Sequence, residues 1–265
     1  MATIEAHGHQ AACRAILFDK DGTLLNFMSL WGSWAAAITG LMERKLAELG
    51  SPGTLNKTVL LGLHTDEENR VIGYDKTGPV AIGSEEEIVA LLASTLYAAG
   101  LPWNEAVTMV RELNATAMAE LKRKGQAVPL AGLRDFLQSC RDAGLKLAVV
   151  TSDSTSETLE HLEWMGIRDA FSSVVGRDRV LRGKPGPDMA LLACRELDVS
   201  PGEVVVIGDS NADMQMGKRA GVVMTIGIAE GYGEDEQAAS YLRDADVIIA
   251  GYGELTIHHE EVRSG

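Results

Sequence analysis

The chain has 265 residues, enough for one large domain or two modest ones with a sizeable core. Hydrophobic residues make up 46% and charged residues 23%, as in an ordinary globular protein. Lys+Arg 24 against Asp+Glu 38 leaves a net charge of −14, which argues against nucleic acid or an anionic membrane as the main partner.

Met1 to Gln10 has neither a cationic n-region nor an apolar h-region, so no secretory signal is expected. No apolar run approaches the ~20 residues of a membrane span. The first organised stretch is Ala15-Ile16-Leu17-Phe18-Asp19-Lys20-Asp21-Gly22-Thr23-Leu24-Leu25. Its short apolar run, bounded by a turn signal, predicts a buried strand of a parallel sheet. Side chains alternate along a strand, so Asp19 and Asp21 leave its end on one side and Lys20 on the other. Two carboxylates that close repel unless a cation or a shared proton intervenes. Gly22 and Thr23 supply a turn whose N–H groups can face an anion. On this stretch alone, a solvated Asp-x-Asp-Gly turn is the alternative. A calcium loop is not supported, because the third acid and the later glutamate are missing.

Leu30, Trp31, Trp34, Ile38, Leu41, Met42, Leu46 and Leu49 recur at helical spacing, predicting a helix over Ser29–Leu49 stopped by Gly50 and Pro52. A shorter helix is expected over Thr54–Leu63. Arg70–Gly83 reads as a hairpin turning at Lys76-Thr77-Gly78. Ser84 with Glu87 forms a capping-box pattern opening a helix to Ala99, and another follows from Pro102 to Lys124. From Pro129 helices and strands alternate. Helices are expected over 133–143, 154–165, 187–197, 212–220 and 234–244. Strands are expected over 145–150, 173–175, 204–207, 222–226 and, last, 247–250. That alternation predicts an α/β fold, a doubly wound, Rossmann-like parallel sheet. Residues 1–25 and 127–265 form the core, and 26–126 a mostly helical insert with a small hairpin. His258 to Glu261 reads as a frayed tail. His64 and His161 read as helix-surface or loop residues. Cys13, Cys140 and Cys194 form no Cys-x-x-Cys pair and read as small buried hydrophobes in a reducing, cytoplasmic compartment.

Three later strand ends carry what the opening acids need. Val150-Thr151-Ser152-Asp153 offers hydroxyls and free N–H groups at a helix start, or simply a helix cap. Arg182-Gly183-Lys184-Pro185 presents a lysine in a rigid turn, where a solvated side chain is the alternative. Gly208-Asp209-Ser210-Asn211-Ala212-Asp213 places an acid directly after a buried strand and another four residues on, with a plain N-cap as the alternative.

In this order the chain resembles the haloacid dehalogenase superfamily in its phosphatase branch, and phosphoglycolate phosphatases in particular. Asp19 to Thr23 match the first motif, Thr151 the second, Lys184 with Pro185 the third, and Asp209 with Asp213 the fourth. The insert resembles the family's type-1 cap. The resemblance implies magnesium held by Asp19, Asp209 and the Asp21 carbonyl, with Asp213 supporting from outside the ligand set. It implies nucleophilic attack by Asp19 through an aspartyl-phosphate, acid–base work by Asp21, and a phosphate cradle of Gly22, Thr23, Thr151, Ser152 and Lys184. The expected partner is a small phosphorylated metabolite, and the expected assembly a monomer or homodimer. A closing insert would select the substrate, with Phe27, Trp31, Trp34, Tyr74, Asp75 and Lys76 as pocket candidates, although the helical spacing of the tryptophans with Leu30 and Ile38 favours the insert's own core.

A sugar-phosphate mutase of the same superfamily shares every core residue, but no second basic cluster in the insert favours it. A phosphonatase needs a Schiff-base lysine there, and Lys45 and Lys57 read as solvated helix flanks. A non-catalytic module of this fold needs a broken motif, and all four are intact. A phosphorelay receiver lacks the insert, and a dinucleotide enzyme needs a G-x-G-x-x-G that is absent.

Overall fold

A computed structural model describes residues 1–125, 127–229 and 240–259. The chain divides into two compact units: Met1–Asn26 with Ala127–Gly265, and Phe27–Gln126. The first unit begins with strands β1 (Ala2–Ala6), β2 (His9–Cys13) and β3 (Ala15–Phe18). The second holds α1 (Ser33–Glu48), α2 (Lys57–Leu61), β4 (Leu63–Thr65), β5 (Val71–Tyr74), α3 (Pro79–Ile82), α4 (Glu85–Ala98) and α5 (Trp103–Lys124). The chain then re-enters the first unit with α6 (Leu133–Asp142), β6 (Lys146–Val150), α7 (Thr155–Trp164), β7 (Ser173–Val175) and α8 (Asp188–Leu197). It ends with β8 (Val204–Gly208), α9 (Asn211–Ala220), β9 (Met224–Ile228), β10 (Val247–Ile249) and β11 (Thr256–His259).

The core sheet has six strands in the order β10-β9-β8-β3-β6-β7, and every neighbouring pair is parallel. All four residues of β3 are buried, as its unbroken apolar run requires. Both faces are covered by helices. On one, Met189, Ala190, Ala193, Cys194 and Leu197 of α8 pack with Leu17, Val150 and Val206 of the sheet. Among the residues of α6, Leu133, Phe136, Leu137 and Cys140 are buried, and the Phe136 ring meets Phe18 edge-on with centroids 6.3 Å apart. Each such large apolar side chain contributes roughly 1.5–3 kcal/mol on burial. The three cysteines are free and buried, and burial pushes the Cys13 thiol up to about 11 and Cys140 to about 12. Among the described residues, no helix is long and apolar enough to cross a membrane.

Several elements differ from the sequence reading. The first residues form a hairpin, β1 with β2, and β11 pairs β1 on its other edge. The turn is His7-Gly8, both at positive φ (47° and 80°), as a type I′ connection requires. His258 and His259 therefore belong to a strand, where Thr3 faces His258 and Ala2 faces His259, rather than to a frayed tail. The hairpin of the insert joins Leu63–Thr65 to Val71–Tyr74, while the expected second arm, Pro79–Ile82, is a helical turn led by proline. The expected start of the Ser29 helix is a π-helical turn, Met28–Gly32. The strand expected over 222–226 runs over Met224–Ile228, and most of the helix expected over 234–244 lies outside the described residues. The Ser84 capping box is present as read.

Within the insert, Trp34 is buried and donates through Nε1 to Asn114 Oδ1 at 2.8 Å, a core role. Phe27 stacks on Tyr74 with centroids 4.0 Å apart, and Asp75 accepts from the Thr77 N–H and hydroxyl at 2.8 Å. Lys45 pairs with Glu48 at 3.0 Å on the surface. Lys57 is buried and donates to the Asn69 carbonyl at 2.9 Å, so it is a structural lysine and not a solvated one.

The C-terminal segment reaches the loop after β3. Buried Tyr252 donates its hydroxyl to the Thr23 carbonyl at 3.0 Å. Tyr252→Phe is expected to lower stability by about 1–2 kcal/mol, because the buried carbonyl loses its donor. Chemical unfolding measures it, and an unchanged midpoint contradicts it.

Candidate active site

The site grows from the carboxyl ends of β3, β6 and β8, where a parallel sheet leaves strand termini open to a ligand. Asp19 directly follows β3, and its N–H donates to the Ile207 carbonyl of β8 at 2.9 Å. This lock between central strands fixes the backbone beneath the first carboxylate. Asp209 follows β8. Asp213 sits one turn into α9, where its carboxylate closes a capping box with Ser210. Its Oδ2 accepts from the Ser210 hydroxyl at 2.6 Å.

Lys184 joins these acids. Its side chain is almost fully buried; Nζ pairs with Asp19 Oδ1 and lies 2.6 Å from Asp213 Oδ1. Carboxylate oxygens of Asp19, Asp209 and Asp213 lie within 4.8 Å of one another. Three carboxylates against one ammonium leave an excess of two negative charges. Burial raises the Asp19 carboxyl well above the usual range; Lys184 pulls it back, and Asp213, Asp209 and Asp21 push it up again. Burial alone would lower the Lys184 ammonium, but the Asp19 and Asp213 carboxylates outweigh it and hold it above its ordinary value.

That imbalance is the test of an implied divalent cation. The donors are all hard oxygens, the three acids when ionised exceed the one ammonium by two charges, and burial pushes the Asp19 carboxyl toward protonation, so the residues fit a hard divalent cation. Asp213 has both oxygens engaged, by Lys184 and Ser210, which favours Asp19 and Asp209 as the metal-facing pair.

The remaining expected site residues sort differently. Thr151 is buried at the end of β6, its hydroxyl accepting from the Asp153 N–H at 3.2 Å, while Ser152 is exposed. The turn amides expected to face an anion are consumed locally: the Gly22 N–H donates to Leu25 at 2.8 Å and the Thr23 N–H to Lys20 at 3.3 Å. The tight turn uses them, so the anion-facing role expected of those amides is corrected. Gly22 matters for another reason. It has φ +76°, and a Cβ there would strike the Asp209 carboxylate. Thr23 is fully buried beneath the turn.

Asp21 departs most from the sequence reading. Its carboxylate turns to Lys20, whose Nζ lies 2.8 Å from Oδ1 and 2.7 Å from Oδ2. Lys20, expected on the opposite side, is fully buried and also pairs with Asp153 at 2.9 Å. His161, read as a surface or loop residue, is buried with Nδ1 3.1 Å from Lys20 Nζ. Burial would lower the Lys20 ammonium, but Asp153 and Asp21 raise it overall. The signal for His161 was its position on α7, three residues after Thr158 and four before Met165, both buried.

Comparison with known proteins identifies the family. A family model for haloacid dehalogenase-like hydrolases matches residues 13–221. A phosphoglycolate phosphatase from Salmonella typhimurium is 30% identical over 251 residues, 91% of this chain and 90% of that protein. Among solved structures, a predicted phosphoglycolate phosphatase from Haemophilus somnus aligns with TM-score 0.64 at 18% identity, covering 89% of this chain and 93% of that one. A provisionally named β-phosphoglucomutase from Thermotoga maritima aligns with TM-score 0.62 at 23% identity, covering 89% and 94%. The two structural likenesses speak for the fold alone. The family match over most of the chain, together with the full-length curated relative, makes this chain a member of the haloacid dehalogenase-like hydrolases, on their phosphatase branch.

Proposed function

We propose that this protein is a magnesium-dependent phosphatase of small phosphorylated metabolites, phosphoglycolate-like esters or sugar phosphates, working through a phosphorylated Asp19. The observation that carries the reading is Lys184, a buried ammonium between Asp19 and Asp213 with Asp209 alongside. A phosphate monoester is an anion met by an anionic nucleophile, so positive charge at that point is the first requirement.

In this reading Asp19 attacks phosphorus and the leaving oxygen departs as Asp21 gives it a proton, which splits one hard displacement into two. Ionised Asp21 then takes a proton from the water that attacks the phosphoryl group and frees Asp19. Lys184 holds the phosphoryl charge and orients Asp19. The Thr151 hydroxyl and the exposed Ser152 offer hydrogen bonds to the phosphoryl oxygens, and the Gly22-Thr23 turn shapes the floor. Asp213 keeps Lys184 in place, and Asp19, Asp209 and the Asp21 carbonyl hold the metal. Magnesium, when bound, supplies positive charge to the phosphoryl oxygens and offsets the repulsion among the acids. Substrate choice by the insert belongs to the same proposal.

The test is a screen of phosphorylated metabolites, with 2-phosphoglycolate among them, following free phosphate with magnesium and with EDTA. Phosphate release that EDTA stops and magnesium restores is the expected result. An isomeric sugar phosphate accumulating without free phosphate overturns hydrolysis in favour of a mutase, and release indifferent to EDTA contradicts the metal.

A further inference from the structure

Between the two motif acids stands a residue that the mechanism above does not use. Lys20 is fully buried, and an ammonium out of water is tolerated only where its donors are matched. An ammonium has three N–H donors and no lone pair. The acceptors around Nζ are the Asp21 carboxylate at 2.7 and 2.8 Å, Asp153 Oδ2 at 2.9 Å and His161 Nδ1 at 3.1 Å. Because Lys20 can only donate, His161 accepts through Nδ1 and carries its proton on Nε2. That ring is buried on α7 against Trp164, with centroids 5.0 Å apart.

These contacts come from three separate elements: the loop after β3, the loop after β6, and α7. Lys20 touches both oxygens of Asp21, so it holds the plane of that carboxyl group, and the side chain of Asp21 is only 20% exposed. A solvated lysine at this place would not hold both oxygens of the acid. A buried one, anchored by Asp153 and His161, does.

We infer that Lys20, anchored by Asp153 and His161, is a positioning residue that aims the Asp21 carboxyl at the leaving-group oxygen. This rests on the reading of Asp21 as proton donor. In the step concerned, the electron pair of the breaking P–O bond goes to the leaving oxygen, the Asp21 proton is transferred to it, and Asp21 is left ionised. An acid held about 1 Å off line still leaves Asp19 and Lys184 intact, so only esters that need the proton are affected.

That asymmetry supplies the experiment. Turnover of 2-phosphoglycolate, whose alkoxide needs a proton to leave, is compared with that of p-nitrophenyl phosphate, whose phenolate leaves without one. Asp21→Asn should lose ~10²–10⁴-fold in kcat on the alkyl ester, the range of general acid catalysis, and far less on the aryl ester. Lys20→Met should show the same selectivity with a loss of ~10–10²-fold, the scale of a misplacement near 1 Å, with KM changed little. His161→Leu should follow it, while His161→Gln, whose amide oxygen accepts the Lys20 proton, should stay near the parent. If Lys20→Met does not fold, the two His161 variants decide. Equal losses on both esters, or no loss, in Lys20→Met and His161→Leu while Asp21→Asn stays selective would overturn the inference and leave the role of Asp21 standing. An unselective Asp21→Asn would remove both.

Discussion

Asp19→Asn is expected to lose at least ~10⁴-fold in phosphate release, the scale on which loss of a covalent nucleophile acts. The fold should remain, because Asp19 is held through its backbone by β8 and the amide matches the carboxylate in shape. The metal-free variant should in fact be the more stable protein. Burial and three neighbouring acids keep the Asp19 proton bound to higher pH than in the unfolded chain, where the group ionises near ~4. Between those values the unfolded state has released a proton that the folded state retains. Stability of the metal-free parent therefore falls as pH rises through that window. The amide removes that slope, and magnesium should restore stability to the parent but not to the variant. Thermal melts across pH, with and without magnesium, measure this. Turnover within tenfold of the parent, on the ~10⁴-fold scale above, rules out Asp19 as nucleophile.

Lys184→Ala is expected to lose more than ~10²-fold in kcat, the magnitude of one charge contact made in the transition state. It should also destabilise the protein by about 3–5 kcal/mol, because Asp213 is buried and loses its charged partner. The two effects separate in a double mutant. Adding Asp213→Asn removes the stranded charge and should recover much of the stability without recovering activity. Chemical unfolding and steady-state kinetics on the same four proteins give the cycle. A kinetic loss below about threefold puts Lys184 outside the reaction, and a double mutant no more stable than Lys184→Ala contradicts the pairing.

The core was legible because its central strands are buried apolar runs, as in Ala15–Phe18 and Val204–Ile207, and because β3, β6 and β8 run directly into Asp19, Thr151 and Asp209. Asp19, Thr151 and Asp209 could be named for that reason, Asp213 from its spacing after Asp209 and Lys184 from the order of the family's motifs, and the structure brings the acids and the lysine of that set together. What escaped was whatever depended on partners distant in sequence. β11 is a strand only because β1 offers it an edge, and its own four residues, two of them histidine, give no strong local signal. Tyr252 gains its role from a carbonyl 229 residues earlier in the chain. Lys20 was placed by alternation, which treats a strand end as though it continued into the turn. The turn instead folds Asp21 back onto the lysine, with three amides bonded to the Lys20 carbonyl. Lys57 was misread because lysines on helix flanks are normally solvated, and the backbone carbonyl that buries it comes from a separate loop.

The central claim is that phosphorus is bonded to Asp19 during turnover, and trapping tests it most directly. The protein is mixed with magnesium and p-nitrophenyl phosphate, acid-quenched within one turnover, reduced with borohydride and mapped by peptide mass spectrometry. Reduction of an acyl phosphate converts that aspartate to homoserine, and the account predicts homoserine at position 19 only when substrate and magnesium are both present. Rapid phosphate release with Asp19 recovered unchanged, or homoserine at another acid, contradicts it.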